Sequence, residues 1–162
     1  MKSIIGTFLF VLALTSLALA VQISGTLECG KPDPQYSIPV GDDHPGHAVQ
    51  IEQYKCTWTK PMEIGGVATK DGSSVESGEK LGTTIHASGF HTTNMANNDL
   101  IFVTYKGTIV IKDDKPVTSK GTWSFVGGKG KFLKIKGNGT FDGTPTPDGG
   151  VSFAVKGRYT LP

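Results

Sequence analysis

Along most of the chain, apolar and polar residues alternate one for one, the period of a strand with one buried face. Val21 to Cys29 forms one such run. His47 to Thr59 forms a second, with Val49 and Ile51 on one face and Gln50, Glu52, Tyr54, Cys56 and Trp58 on the other. Glu79 to His91 gives a third, placing Leu81, Thr83, Ile85 and Ala87 opposite Thr84, His86, Ser88 and Phe90. Leu100 to Lys112 is the longest apolar strand. A hairpin spans Gly121 to Gly143, its two arms joined by a glycine turn at Gly127–Gly130, and Val151 to Leu161 is the last strand. These are seven strands, with a possible eighth over the short apolar piece Met62 to Val67, which reads equally as a loop.

Between the strands lie residues that suit reversals. Gly30 to Pro34 breaks the first run, and the residues from there to Gly46 read as loop. Lys70-Asp71-Gly72-Ser73-Ser74 and Asn97-Asn98-Asp99 read as polar turns. On the second arm of the hairpin, Leu133, Ile135 and Phe141 share a face with Gly137 and Gly139. That face is therefore narrow at the glycines, where the strand bends or another group comes close. No helical period occurs after the N-terminal segment. Short strands joined by turns without helices predict an all-β fold. A single antiparallel barrel of eight strands is the closed form at which the interior is either filled by side chains or holds one small molecule.

The N-terminal twenty residues carry one basic residue, an apolar run from Ile4 to Leu19 and an Ala18-Leu19-Ala20 end. They predict a secretory signal peptide at 1–20, a barrel domain at 21–162 and a secreted or periplasmic protein with no membrane attachment after cleavage. Export places the two cysteines, Cys29 and Cys56, where thiols oxidise, so a disulfide is expected. The formal charge of +2 implies no electrostatic partner, and the lysines are too dispersed for nucleic-acid binding. The local group Lys129, Lys131, Lys134 and Lys136 reads as a solvated outer face.

The C-terminal third carries a recognisable order of residues. Gly121-x-Trp123-x-Phe125-x-Gly127-Gly128-x-Gly130-x-Phe132 is followed by Gly137-x-Gly139-x-Phe141 and by Val151-x-Phe153-x-Val155-x-Gly157-x-Tyr159-x-Leu161-Pro162. This pattern resembles the allene oxide cyclase and dirigent-type barrel proteins, in particular their exported bacterial members. The resemblance implies an eight-stranded calycin-like barrel, often a homo-oligomer, with an apolar lumen. Lys129 stands where the plant relatives usually have Ser or Thr, and their catalytic residues have no matching positions here. What the resemblance implies is the fold, not the activity.

Candidate chemistry is sparse. If the polar and aromatic face of the second run points inward, Gln50, Glu52, Tyr54 and Trp58 line a pocket together; otherwise they lie outside under a covering loop. Tyr54, Trp58, Tyr105, Trp123 and Phe125 are the candidate ligand-binding residues for a small apolar molecule, or are plain core. Glu52 and His86 are the candidate acid-base residues, because a carboxyl or imidazole facing an apolar lumen has a shifted pKa. His44 and His47, beside Asp42 and Asp43, have a spacing compatible with metal ligation, but no further ligand pair accompanies them, so no metal and no cofactor is expected. No nucleophile elbow or phosphate loop is present. A binding module, a cyclase- or isomerase-like enzyme, and a scaffold without a pocket are the three functions left open.

Overall fold

The structure, a computed structural model, describes residues 19–41 and 45–162. The expected signal peptide, through residue 18, lies outside the described residues, as do Asp42, Asp43 and His44. The described chain is all-β, with ten strands: β1 (Val21–Cys29), β2 (Gln35–Pro39), β3 (His47–Lys60), β4 (Glu63–Ile64), β5 (Val67–Leu81), β6 (Thr84–Met95), β7 (Leu100–Lys112), β8 (Lys115–Gly128), β9 (Lys136–Pro145) and β10 (Val151–Thr160). Eight of them close an antiparallel barrel in the order β3-β1-β10-β9-β8-β7-β6-β5, and β5 returns to β3. Among the described residues no helix is long and apolar enough to cross a membrane.

Three segments depart from the reading of the sequence. The eighth barrel strand is not Met62 to Val67, which supplies only the two-residue β4. It is β5, which runs straight through the polar segment expected to turn at Lys70–Ser74 and pairs with β3 from Thr57 to His47. The run expected as one strand from Glu79 to His91 is divided by a two-residue reversal, in which Leu81 opposes Thr84 and Gly82 takes a φ of 58°. Within the loop expected after Gly30, Gln35–Pro39 forms β2 along β3.

β1 and β2 share the same edge of β3, β1 at its C-terminal half and β2 at its N-terminal half. At the point where the chain leaves β10 and continues as β2, Cys29 and Cys56 stand directly opposite one another and are joined by the expected disulfide. The free side of β2 is guarded by proline. Val40 N–H donates to His47 O at 3.0 Å, so Pro39, one residue earlier, faces away from β3 and offers no donor to a further strand.

The hairpin connection also differs. Residues 131–135 are not strand: a 3-10 turn at Gly130–Phe132 replaces it, and β9 begins only at Lys136. Period two therefore misassigns the inward residue there. Phe132 is fully buried, whereas Leu133 is 66% exposed. The lysines flanking this turn are exposed, as expected. Further along, Gly139 opposes Trp123 on β8 and Gly157 on β10. A Cβ on Gly157 would lie 2.3 Å from the indole of Trp123, and one on Gly139 would lie 2.7 Å from it. The indole lies across the two glycines, and its N–H is shared between the carbonyls of Lys156 (3.2 Å) and Thr140 (3.3 Å). The close approach expected at Gly139 is this indole.

One end of the barrel is stoppered by Met62, Ile64, Met95, Ile101 and Phe132. Polar bonds fix that end as well. Gly65 N–H donates to Tyr159 Oη at 2.8 Å, and Met62 N–H donates to Thr69 Oγ1 at 3.0 Å. The opposite end, where β7 turns into β8 and β9 into β10, is open.

Candidate functional site

Inside the barrel is a cavity of about 680 Å³, within the range of roughly 300–1,000 Å³ typical of small-molecule sites. The inward face of β3 is its polar one. Gln50, Glu52, Tyr54 and Trp58 line the cavity, while Val49 and Ile51 are exposed outside. Tyr105, Trp123 and Phe125 line it too, so all five candidate ligand-binding residues meet there. Phe141 and Phe153 extend the aromatic wall. Their rings pack edge to face at 5.6 Å, and Phe141 packs against Tyr105 in the same way at 6.2 Å.

The other wall is polar and is built on two successive rungs of the sheet. In the first, Glu52 on β3 opposes Glu76 on β5, Glu76 opposes Gly89 on β6, and Gly89 opposes Tyr105 on β7. A Cβ on Gly89 would lie 2.5 Å from Tyr105 Oη. The missing side chain lets Tyr105 reach over β6 and hydrogen-bond the Glu76 carboxyl. In the next rung Tyr54 opposes Ser74, and Ser74 opposes His91. Tyr54 donates to Glu52 Oε2, and Gln35 Nε2 donates to Glu52 Oε1 from β2. Ser74 Oγ lies 2.8 Å from His91 Nδ1.

Burial shifts the protonation of this wall. Desolvation, followed by the facing Glu52 carboxyl, pushes Glu76 up to about 7. Burial brings His91 down to about 4, so its imidazole is neutral at physiological pH. Both tyrosines are raised, first by desolvation and then by the neighbouring Glu76, and remain hydrogen-bond donors. Two lumen-lining residues each have a buried ring nitrogen without a hydrogen-bond partner among the described residues, His91 Nε2, which packs over Gly72, and Trp58 Nε1.

The two carboxyl and imidazole candidates part company. Glu52 faces the lumen, whereas His86 sits on the exposed outer face, because its parity on β6 is opposite to that of Ile85 and Ala87. The lumen histidine is His91. His47 is also outside the lumen, its Nε2 2.9 Å from Glu79 Oε1. Among the described residues no three His, Cys, Asp or Glu side chains converge as metal ligands. Ser74 and Glu76 escaped sequence reasoning because they lie on a strand read as turn. The local signal is weak: between Ser74 and Leu81 only Val75 and Leu81 are apolar, and both face outward.

Comparison with protein-family models and with curated proteins gives no match.

The titration of the polar wall has a measurable consequence for stability. Glu76 binds its proton more tightly in the fold than in the open chain, so raising the pH from about 4.5 through 7 destabilises the barrel. Discounted for partial solvent access, the effect is about 2 kcal/mol above pH 7. His91 acts in the opposite sense, since its folded pKa is lowered and stability is lost as pH falls from about 6.5 through 4. The two oppose each other between pH 4.5 and 6.5. Glu76→Gln is expected to raise stability at pH 8 by about 2 kcal/mol and to expose a steeper acid loss from His91. Urea denaturation across pH 4.5–8 reads both; a variant less stable than wild type at pH 8 contradicts the assignment.

Proposed function

We propose that the protein is an exported binding barrel that takes a small, predominantly apolar molecule into its lumen. The observation that carries this reading is the 680 Å³ cavity, open at one end and stoppered at the other, with aromatic side chains on one wall and oriented donors and acceptors on the other. An apolar cavity of that size gives most of the binding free energy through burial, and a few fixed polar groups set the ligand's orientation. An open lumen favours this function over a scaffold, for which a solid interior was expected. Export is supported by the leader-like N-terminus and by the Cys29–Cys56 disulfide.

Organic extraction of protein purified from its native host, followed by mass spectrometry, is expected to yield a co-purifying small molecule. Re-addition of that molecule is expected to quench tryptophan emission, since Trp58 and Trp123, the chain's two tryptophans, both line the lumen. An empty extract together with unchanged emission over a panel of apolar compounds counts against the proposal.

A second reading, a cyclase- or isomerase-like enzyme, is favoured by one observation. Glu76, pushed up to about 7 beside Glu52, is poised to give or take a proton at neutral pH within a lumen that shapes its occupant. Under this reading the extracted compound is converted on incubation with the protein, and Glu76→Gln abolishes conversion even at saturating compound.

A further inference from the structure

The facing pair Glu52 and Glu76 lines the lumen without a cationic partner. The ion pairs among the described residues are His47–Glu79, Lys70–Asp71 and Lys120–Asp142, none of which touches it. Two carboxyl groups directly opposite on neighbouring strands repel one another. They are held together by donors that carry no charge: Gln35 and Tyr54 on Glu52, and Tyr105 on Glu76. Lys80 also lines the lumen, but it is four residues along β5, about 13 Å toward the mouth.

The pair lies in the wall of the 680 Å³ cavity, so an occupant of the lumen meets it. Around the carboxyl pair stand Tyr54 and Tyr105, with Phe141 edge-on to Tyr105. Acidic oxygens framed by aromatic rings are the surroundings that recognise an organic ammonium group, through charge-assisted hydrogen bonds and cation–π attraction.

We infer that the lumen's ligand is an amphipathic amine, its apolar body against the aromatic wall and its ammonium group between Glu52 and Glu76. This deepens the proposed binding function and rests on it. The ligand nitrogen supplies the positive charge that the pair lacks. A fatty acid or other anionic amphiphile, its head held by Lys31, Lys80 and Lys115 near the mouth, would lay its apolar chain along two carboxyl groups and leave them without a positive charge.

The test is displacement of an uncharged fluorescent probe, N-phenyl-1-naphthylamine, by decylamine, decanol and decanoate, which share a chain and differ in the head. Decylamine is expected to displace the probe at least tenfold more effectively than decanol at pH 8, with decanoate weakest. In the Glu52→Gln/Glu76→Gln double variant the amine's advantage is expected to fall below threefold while the probe still binds. Relieving the repulsion makes this variant at least as stable as wild type, which thermal denaturation checks. A second measurement needs no variant. Between pH 6 and 8 the amine stays protonated, His91 stays neutral and both tyrosines keep their protons, while Glu76, facing Glu52, Tyr105 and more distantly Lys80, loses its proton. Decylamine affinity is expected to rise about tenfold across that interval and decanol affinity to stay level. Decanol or decanoate binding as well as decylamine overturns the amine inference and leaves the lumen function standing. So does an amine advantage that survives in the double variant. Failure of the probe and of all three chains to bind overturns the lumen function itself.

Discussion

Phe132→Ala is expected to destabilise the barrel by about 3–5 kcal/mol, the largest single-residue effect anticipated for this chain. The side chain is fully buried at the stoppered end among Met62, Ile64, Met95 and Ile101. It stands on a rigid support, since the 3-10 turn closes with Leu133 N–H on Gly130 O at 3.4 Å and Ile135 N–H on Phe132 O at 3.1 Å. Neighbours so fixed relax little into the space vacated, and the cavity persists. In thermal denaturation the loss corresponds to a fall on the order of 10 °C in Tm for a domain of this size. The neighbouring Leu133→Ala, at a residue 66% exposed, is expected to change stability by less than about 0.5 kcal/mol. Equal effects at the two positions would mean that Phe132 does not stopper the barrel.

The second large effect is loss of the disulfide. Replacing both Cys29 and Cys56 by alanine is expected to cost about 3–4 kcal/mol, since the bond closes a loop of sequence separation 27. Its position also gives the bond a local role. β1 leaves β10 at Cys29, which opposes Val151, and from Gly30 to Val40 the described backbone hydrogen bonds run to β3. Without the bond, amide hydrogen exchange in β2 and the first half of β3 is expected to rise more than in β6 and β7. A uniform rise over all strands would assign the bond's effect to the unfolded chain alone.

How far the sequence revealed these features depends on which way each face points. Strands β1, β3, β7 and β10 were legible because their apolar residues are spaced at two and bounded by turn residues. The aromatic lining was legible for a related reason: Tyr54, Trp58, Tyr105, Trp123 and Phe125 lie on those strands and on β8, at the parity that turns inward. β5 was not legible. Its inward residues include Ser74, Glu76 and Lys80, its outward residues include Val75 and Leu81, and Gly72 suits a turn by composition. Pairing on both edges, with β3 and with β6, holds it as a strand regardless. At Gly72 the ring of His91 takes up the space, a Cβ there falling 2.7 Å from Nε2. The strand that local pattern could not show carries half of the polar wall, because an inward face that is itself polar leaves no apolar stripe at period two.

The same division holds for the site as a whole. By itself the sequence determined that the chain is antiparallel β, that Cys29 and Cys56 pair, and that Glu52 shares a strand face with Tyr54 and Trp58, since all of these follow from local period, turn chemistry and redox setting. Only the tertiary structure decided that this face is the lumen, that Glu76 stands opposite Glu52, and that His91 is inside the barrel and His86 outside. Register is the physical reason. Glu52 and Glu76 are brought together by hydrogen bonds between separate strands, and one residue of slip would turn either carboxyl out to solvent.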